Sequence, residues 1–359
     1  MLLEKPLIED KKGKKLQQIL DKAVDNKRIF GTSFALKKDD YYWQGASGNL
    51  EIDQAYFIAS TTKLFATAII YRLFETGELK PDHKLGDFFD EIFLYGLHIF
   101  EDDDCASHIS IKQLLSHTSG LPDYFQDKGS MEKSLEQELI SGKDQIWTFE
   151  DVIIRVKMMN SYFVPGAKNK GHYADTNFQI LGKIIELVTG KSFDENCNEM
   201  IINPLNLSNT YIYRDIQDEN VSWFYYKEQE LKIPKAMTSF GIDGGMVSTS
   251  ADMIVFLEAF FGGKLFSEKY ISQMQEWNPI FFPFKSGVGI QLFRLPWYFN
   301  PVGSIPDFIG HSGLSGALAF YAPQENIFIS GTVNQLSYND LSFRLMIKLI
   351  QNLLKTKKE

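Results

Sequence analysis

Strand-like sequence lies toward the two ends of the chain and helix-like sequence fills the stretch between, and this distribution restricts the fold more than any other feature. Near the start, Thr32–Leu36 and Tyr41–Gly45 read as a hairpin with Lys38, Asp39 and Asp40 at its turn. After Pro283 the pattern returns to strands in "GVGIQLFRL", "DFIGHSG", "GALAFYA" and "IFISGTV". Between them, up to about Gly263, the signals are mostly helical. Ser110 is placed to cap "IKQLLSH", and Thr148 with Asp151 has the form of a capping box before "VIIRVKMM". "TNFQILGKIIELVTG" carries apolar residues at helical spacing and stops at Gly190, and "TSADMIVFLEAFFGG" repeats that logic. Helices are expected over Lys11–Lys27 and Leu341–Leu354, whereas 88–100 is aromatic-rich and ambiguous. Strands at both ends with helices between them predict one sheet built from the two termini, and hence an α+β unit. Residues 1–60 and 285–359 form the sheet part, and 61–284 is a mainly helical insertion.

Bulk properties exclude several function classes. A length of 359 residues with 44% hydrophobic content supports a sizeable core in one large or two intertwined domains. A net charge of −9 argues against nucleic acid as a partner, because a polyanion needs a basic face. The most basic run, Lys11, Lys12, Lys14 and Lys15, reads as the solvated face of a helix with Leu16, Ile19, Leu20 and Ala23 inside. Cys105 and Cys197 are too few for a disulfide framework and lack metal-ligand spacing, so free thiols are the simpler reading. Met1–Leu16 has no apolar core of an export signal, and no run is long enough to span a bilayer. The chain as it stands therefore reads as cytoplasmic, although one trimmed of an export leader would look the same.

The chemistry begins at "FIASTTKLFATAII", where Ser60 and Lys63 open an otherwise apolar helix. Residues i and i+3 share a helix face, which brings the amine within reach of the hydroxyl. A desolvated lysine can give up its proton near neutral pH and activate a serine without histidine. The competing reading is that Ser60 is an N-cap and Lys63 snorkels to solvent. A second Ser-x-x-Lys, Ser130 to Lys133, lies in a polar run where a lysine is simply solvated. A proton shuttle is also needed. Tyrosine with Asn or Asp two residues later occurs at Tyr173, Tyr213, Tyr298 and Tyr338, and Tyr173 stands out because it directly precedes a well-formed helix. A basic residue followed by Ser and Gly, suited to an edge strand beside a substrate, fits at His311-Ser312-Gly313. It also fits at Lys285-Ser286-Gly287, which reads as a turn. There is no G-x-S-x-G elbow and no H-E-x-x-H, and Gly190-Lys191-Ser192 ends a helix where a phosphate loop would start one.

The order Ser-x-x-Lys, Tyr-x-Asp, His-Ser-Gly, with its flanks, resembles the serine β-lactamase and penicillin-binding protein superfamily in its class C and DD-peptidase branch. The stretches that carry the resemblance are "FIASTTKLFATAII", "ISIKQLLSHTSGLPDY", "YADTNFQILGKIIELVTGKSF", "IINPLNLSNTYI", "GGMVSTSADMIVFL" and "IGHSGLSGALAFYAP". The resemblance implies a β-lactamase/DD-peptidase-like fold: an antiparallel sheet of about five strands flanked by N- and C-terminal helices, plus a mostly helical domain, with the site between them. It implies that Ser60 is acylated, that Lys63 and Tyr173 share general base and acid duty, and that backbone N–H groups of Ser60 and Leu314 form the oxyanion hole. No metal or cofactor is implied. The implied activity is that of a serine hydrolase on a small ester or amide, esterase-like or DD-peptidase-like. A β-lactamase or transacylase of the same fold is the alternative, and a binding protein that kept the fold is the non-enzymatic one.

Two departures from the family pattern matter. Asp175 stands where asparagine is usual, and a carboxylate there favours a charged Lys63 and shifts the base role toward Tyr173. His311 stands where a lysine is frequent, so with Ser312 and Gly313 it offers a carboxylate-bearing substrate no fixed positive charge. Among the remaining candidates, His117 is expected to hold a loop at a helix end, and Asp243-Gly244-Gly245 to form a tight turn facing the cleft. Trp223 to Tyr226 are equally suited to line a pocket or to pack a loop. Glu199 lies in a stretch that fits a structural turn.

Overall fold

The computed structural model describes residues 10–298, 300, 305–338 and 340–355. The first nine residues, part of the stretch read for an export signal, lie outside them. Helix α1 (Lys11–Asp21) is capped by Asp10, which accepts from the Gly13 N–H, and buries Leu16 and Leu20. Strands β1 (Gly31–Lys38) and β2 (Tyr41–Gly48) form the expected hairpin, with Asp39 in the left-handed region at its turn. Helix α2 (Lys63–Thr76) follows a single 3₁₀ turn, Ala59–Thr62, and ends where Gly77 takes φ 82°. The central part continues through α3 (Ile111–Leu115), α4 (Leu135–Ile140), α5 (Phe149–Lys157), α6 (Asp175–Thr189), α7 (Pro234–Phe240) and α8 (Ser250–Phe261). The expected capping boxes at Ser110 and Thr148 are both formed.

The sheet resumes with β3 (Asn278–Pro279), β4 (Phe284–Ser286) and β5 (Gln291–Phe293). It continues through β6 (Phe308–Ser312), β7 (Leu318–Ala322) and β8 (Ile327–Thr332), and α9 (Asp340–Leu354) closes the chain. All eight strands form one antiparallel sheet in the order β3-β4-β5-β6-β7-β8-β1-β2. The last strand pairs with the first, Leu36 opposite Ile329, which is how the two ends of the chain meet. Five strands are long and carry the body of the sheet, and β3 to β5 extend it at one edge. Alternation along each strand separates two cores. Phe34, Leu36, Trp43, Phe320 and Ile329 face α1 and α9, whereas Ile309 and Ala319 join the larger core of the helical part.

The structure departs from the sequence reading in several places, the first being that α1 stops at Asp21, short of the expected Lys27. A second, four-stranded sheet takes three two- and three-residue strands (Tyr211–Ile212, Met246–Ser248, Val221–Ser222) from the stretch read as helical and a fourth, Ala55–Phe57, from just before it. Such short segments carry no periodicity to detect. The "GVGIQLFRL" strand shrinks to Gln291–Phe293 because Gly289 adopts φ 84° and bends the chain against α2. A Cβ at Gly289 would lie 2.4 Å from Thr67 Cγ2, so the bend and the close approach both need glycine. Lys285 and Ser286 are in β4 rather than in a turn. Cys105 and Cys197 are both free thiols. Among the described residues, no helix is long and apolar enough to cross a membrane.

Candidate active site

Ser60 lies in the 3₁₀ turn that precedes α2, and Lys63 is the first residue of that helix. The turn begins from Ala59, which holds φ 46°, a left-handed conformation rare for a residue with a side chain. The end of β6 supports that strained residue. A Cβ at Gly313 would lie 2.7 Å from the Ile58 carbonyl, 2.8 Å from Ala59 Cβ and 3.2 Å from the Ser60 nitrogen. Only glycine lets the strand end press this close to the serine backbone. Ser315 fixes the following turn by donating to the Phe57 carbonyl at 2.9 Å. Ser60 makes no capping hydrogen bond, so the N-cap reading of this serine does not hold.

Lys63 does not snorkel: its side chain is fully buried. Its ammonium donates to Ser60 Oγ at 3.1 Å and to the Asp243 carbonyl at 2.5 Å, and pairs with Asp175 at 2.7 Å. Burial alone lowers a lysine's pKa, but Asp175, then Tyr173 and Asp243, more than reverse this and hold it above its ordinary value. The expectation that desolvation frees the amine of its proton is thereby overturned, and the one drawn from Asp175, a charged Lys63, is what the geometry carries.

Tyr173 places its ring against the ammonium, with Nζ 5.4 Å from the centroid. Its hydroxyl is buried. Burial raises its pKa and Asp175 adds to the rise, while Lys63 and the nearby Ser60 pull the other way without restoring the ordinary value. The hydroxyl closes no well-aligned hydrogen bond among the described residues. His117 fixes the ring from behind, stacked at 4.4 Å between centroids. His117 Nδ1 accepts from the Ala174 N–H and from Asn177 Nδ2, both at 3.1 Å, which places its own proton on Nε2. Its expected role of holding a loop at a helix end is therefore extended to orienting the phenol.

The opposite wall is β6. His311 is buried, its Nδ1–H donating to the Ser312 carbonyl at 2.8 Å, and its ring lies 6.1 Å from that of Tyr173. Burial, then the charge of Lys63, push its pKa down to about 3 against that hydrogen bond, so the imidazole is neutral at ordinary pH. Ser312 is tethered through its N–H at 3.2 Å and its hydroxyl at 3.0 Å to Gln291 Oε1 on β5. Leu314 lines the cavity next to Ser60.

A layer of support beneath these groups escaped the sequence reading. Asp243 accepts from Tyr124 Oη at 2.9 Å and Gln179 Nε2 at 2.8 Å, and its backbone carbonyl receives Lys63. Asp123 accepts from the backbone N–H of Asp175 at 2.9 Å and of Gln126 at 3.0 Å. Burial and then the charge of Asp175 raise the pKa of both Asp123 and Asp243. The cluster thus keeps its lysine charged while its two supporting carboxyls are driven toward the neutral form. One signal for Gln179 was available: it lies four residues after Asp175, on the same helix face.

Several other candidates lie outside this constellation. Ser130 and Lys133 are exposed. Tyr213 is buried in the core, against Phe57 and Trp223. Glu199 pairs with Lys191 on the surface. The Trp223–Tyr226 run divides between the two expectations: Phe224 lines the cavity, and Tyr225 stacks on Phe30 at 4.2 Å.

The cavity that opens over Ser60 has a volume of about 940 Å³. That is near the upper end of the ~300–1,000 Å³ typical of small-molecule sites. On the helical side it is bounded by Leu139, Ile140, Met237 and Phe240, and on the sheet side by Phe281, Phe282, Phe284 and Phe293.

A family model described as Beta-lactamase matches residues 16–347. The chain is similar to a putative penicillin-binding protein, PbpX, of Bacillus subtilis, with 24% identity over 80% of this chain and 67% of that protein. It is similar to a teichoic acid D-alanine hydrolase of Staphylococcus aureus, with 25% identity over 82% of this chain and 67% of that protein. Among solved structures, the D-amino acid amidase of Ochrobactrum anthropi shares the fold with a TM-score of 0.79 and 21% identity, covering 97% of this chain and 100% of that one.

Proposed function

Because the chain belongs to the Beta-lactamase family, we propose that it is a serine hydrolase that forms an acyl-enzyme on Ser60, acting on a small ester or amide. The observation that carries this reading is the convergence of Ser60, Lys63 and Tyr173, drawn from two distant parts of the chain, at the floor of one cavity. The family relatives named above include hydrolases, a D-alanine hydrolase and a D-amino acid amidase, and this supports the reaction class.

In the proposed reaction Ser60 Oγ attacks the carbonyl carbon and its proton passes to the Lys63–Tyr173 pair. Since Asp175 holds Lys63 as the ammonium, the pair has to release one proton before it can accept the serine's, and Tyr173, whose ring lies against the ammonium and whose hydroxyl is committed to no other group among the described residues, is the member placed to cycle it. The backbone N–H groups of Ser60 and Leu314 receive the oxyanion. Collapse breaks the bond to the leaving oxygen or nitrogen, which takes the proton back from the pair. Water then repeats the sequence on the acyl group.

A neutral His311 gives a substrate carboxylate no ionic anchor, which favours esters over β-lactams and over peptides ending in D-alanine. The test is a comparison of kcat/KM for a p-nitrophenyl ester, nitrocefin and a D-Ala-D-Ala peptide on one preparation. The ester is expected to lead. Nitrocefin leading by orders of magnitude refutes the preference for esters, and no turnover of any of the three, with no label on Ser60, refutes the hydrolase.

A further inference from the structure

The cavity over Ser60 continues well past the reacting groups. A run of aromatic rings leads away from Tyr173: Phe281 at 6.0 Å, Phe284 at a further 5.3 Å, and Phe343 of α9 at a further 5.1 Å. All of these line the same cavity. Helix α9 shows why. Its core face, Leu345, Met346, Leu349 and Ile350, is buried against the sheet. Phe343 and Ile347 form a second apolar stripe, one turn apart, which is only partly covered and faces the cavity. This second stripe packs only in part against the same core, and its remaining apolar surface is open to the cavity. Arg344 is the one basic side chain among the described residues that line the cavity, and it is paired with Asp340 at 2.9 Å. The arm therefore offers apolar surface and no free cation.

We propose that this arm, from Phe281 to Ile347, binds an extended apolar chain on the leaving-group side of the substrate, so that the protein acts on esters of a small acyl group with a long or bulky apolar alcohol. The inference rests on the acyl-enzyme reading given above. The side follows from the geometry: the leaving atom takes its proton from the Lys63–Tyr173 pair, and the arm starts where the Tyr173 ring meets Phe281. The rings give a chain leaving that point an apolar path to α9.

The test uses two ester series with the full-length protein: acetates of ethyl, butyl, hexyl and octyl alcohol, and p-nitrophenyl esters of increasing acyl length. In the alcohol series kcat/KM is expected to rise by up to about fourfold per methylene, which corresponds to ~0.8 kcal/mol for each CH₂ removed from water. The acyl series is expected to stay flat by comparison. Ile347→Glu, on a partly exposed helix face, is expected to flatten the alcohol series, so that the ratio of octyl to ethyl acetate falls toward one. Phe281→Ala, at a side chain that is 47% exposed, is a second variant with little bearing on folding. A flat alcohol series in a protein that turns over ethyl acetate overturns the proposal and leaves the hydrolase standing. A rise confined to the acyl series overturns the assigned side. No turnover in either series, with Ser60 unlabelled by a fluorophosphonate, is the separate failure of the hydrolase reading.

Discussion

The floor of the cavity and its sheet-side wall are built on opposite principles. Beneath the floor, Lys63, Asp175, Asp243, Asp123, Tyr124 and Gln179 form a buried polar network in which each member holds another. On the sheet side the arm is a file of phenylalanines ending on the partly covered stripe of α9, and Phe282 is 70% exposed. A buried polar network is costly to perturb, because removing one partner strands another away from water. The exposed members of the aromatic wall, Phe281 and Phe282, tolerate change, whereas Phe284 belongs to the sheet core. The contrast suggests that the position of the reacting groups is over-determined, whereas substrate choice is set by surface that contributes little to stability.

The largest effect that sharpens this contrast is expected at the nucleophile. Ser60→Ala should lower kcat by about 10⁶-fold, the scale at which nucleophile removal leaves only binding and the oxyanion site. Its thermal midpoint should hardly move, since the serine makes no cap. A large loss of stability with modest loss of rate would reverse the roles assigned to the floor.

Lys63→Met is expected to cost both activity and stability. It removes the cation and leaves Asp175 without its partner, a change worth about 3–5 kcal/mol for a buried pair. Urea unfolding reads this directly, and a variant as stable as the parent would show that the network is not over-determined.

Asp175→Asn separates charge from shape. Asp175 raises the pKa of both Lys63 and Tyr173. Acylation needs the pair to lose one proton, so kcat/KM of the parent is expected to rise with pH through the alkaline range. Removing the negative charge disfavours the protonated forms, so the rise should move to lower pH, by about one unit or more. A profile that stays in place, or moves to higher pH, contradicts the assignment of the proton to this pair.

The smallest effect is expected on the β6 wall. His311→Lys places a cation beside the nucleophile and should raise kcat/KM for carboxylate-bearing substrates about tenfold, just under the ~1.5–3 kcal/mol of a hydrogen bond to a charged group. Kinetics with a penicillin and with its methyl ester check this, since only the free acid should benefit.

What was legible in the sequence divides along the same line. Ser60 and Lys63 could be picked out because two polar residues open an otherwise apolar helix, and Tyr173 because it directly precedes a strongly periodic one. His311, Ser312 and Gly313 stood out between two strand signals. The five long strands were visible because each carries several alternating residues, whereas the two-residue strands near Tyr211 and Val221 carry none. Asp243 was seen only as a turn, because its part in holding Lys63 runs through a backbone carbonyl, and any residue has one. Asp123 and Tyr124 lie within "LPDY", where nothing in the sequence assigns them a role, since Asp175 and Asp243, which they hold, lie far along the chain. The arm was least legible of all: Phe281, Phe284 and Phe343 are ordinary core residues in sequence and become a path only when α9 packs against the far edge of the sheet.

The central claim, an acylated Ser60 activated by the Lys63–Tyr173 pair, is tested most directly by intact-mass spectrometry and peptide mapping after exposure to a fluorophosphonate. The account predicts a single adduct on Ser60 that is absent from Ser60→Ala. No adduct, or one that persists in Ser60→Ala, would contradict it.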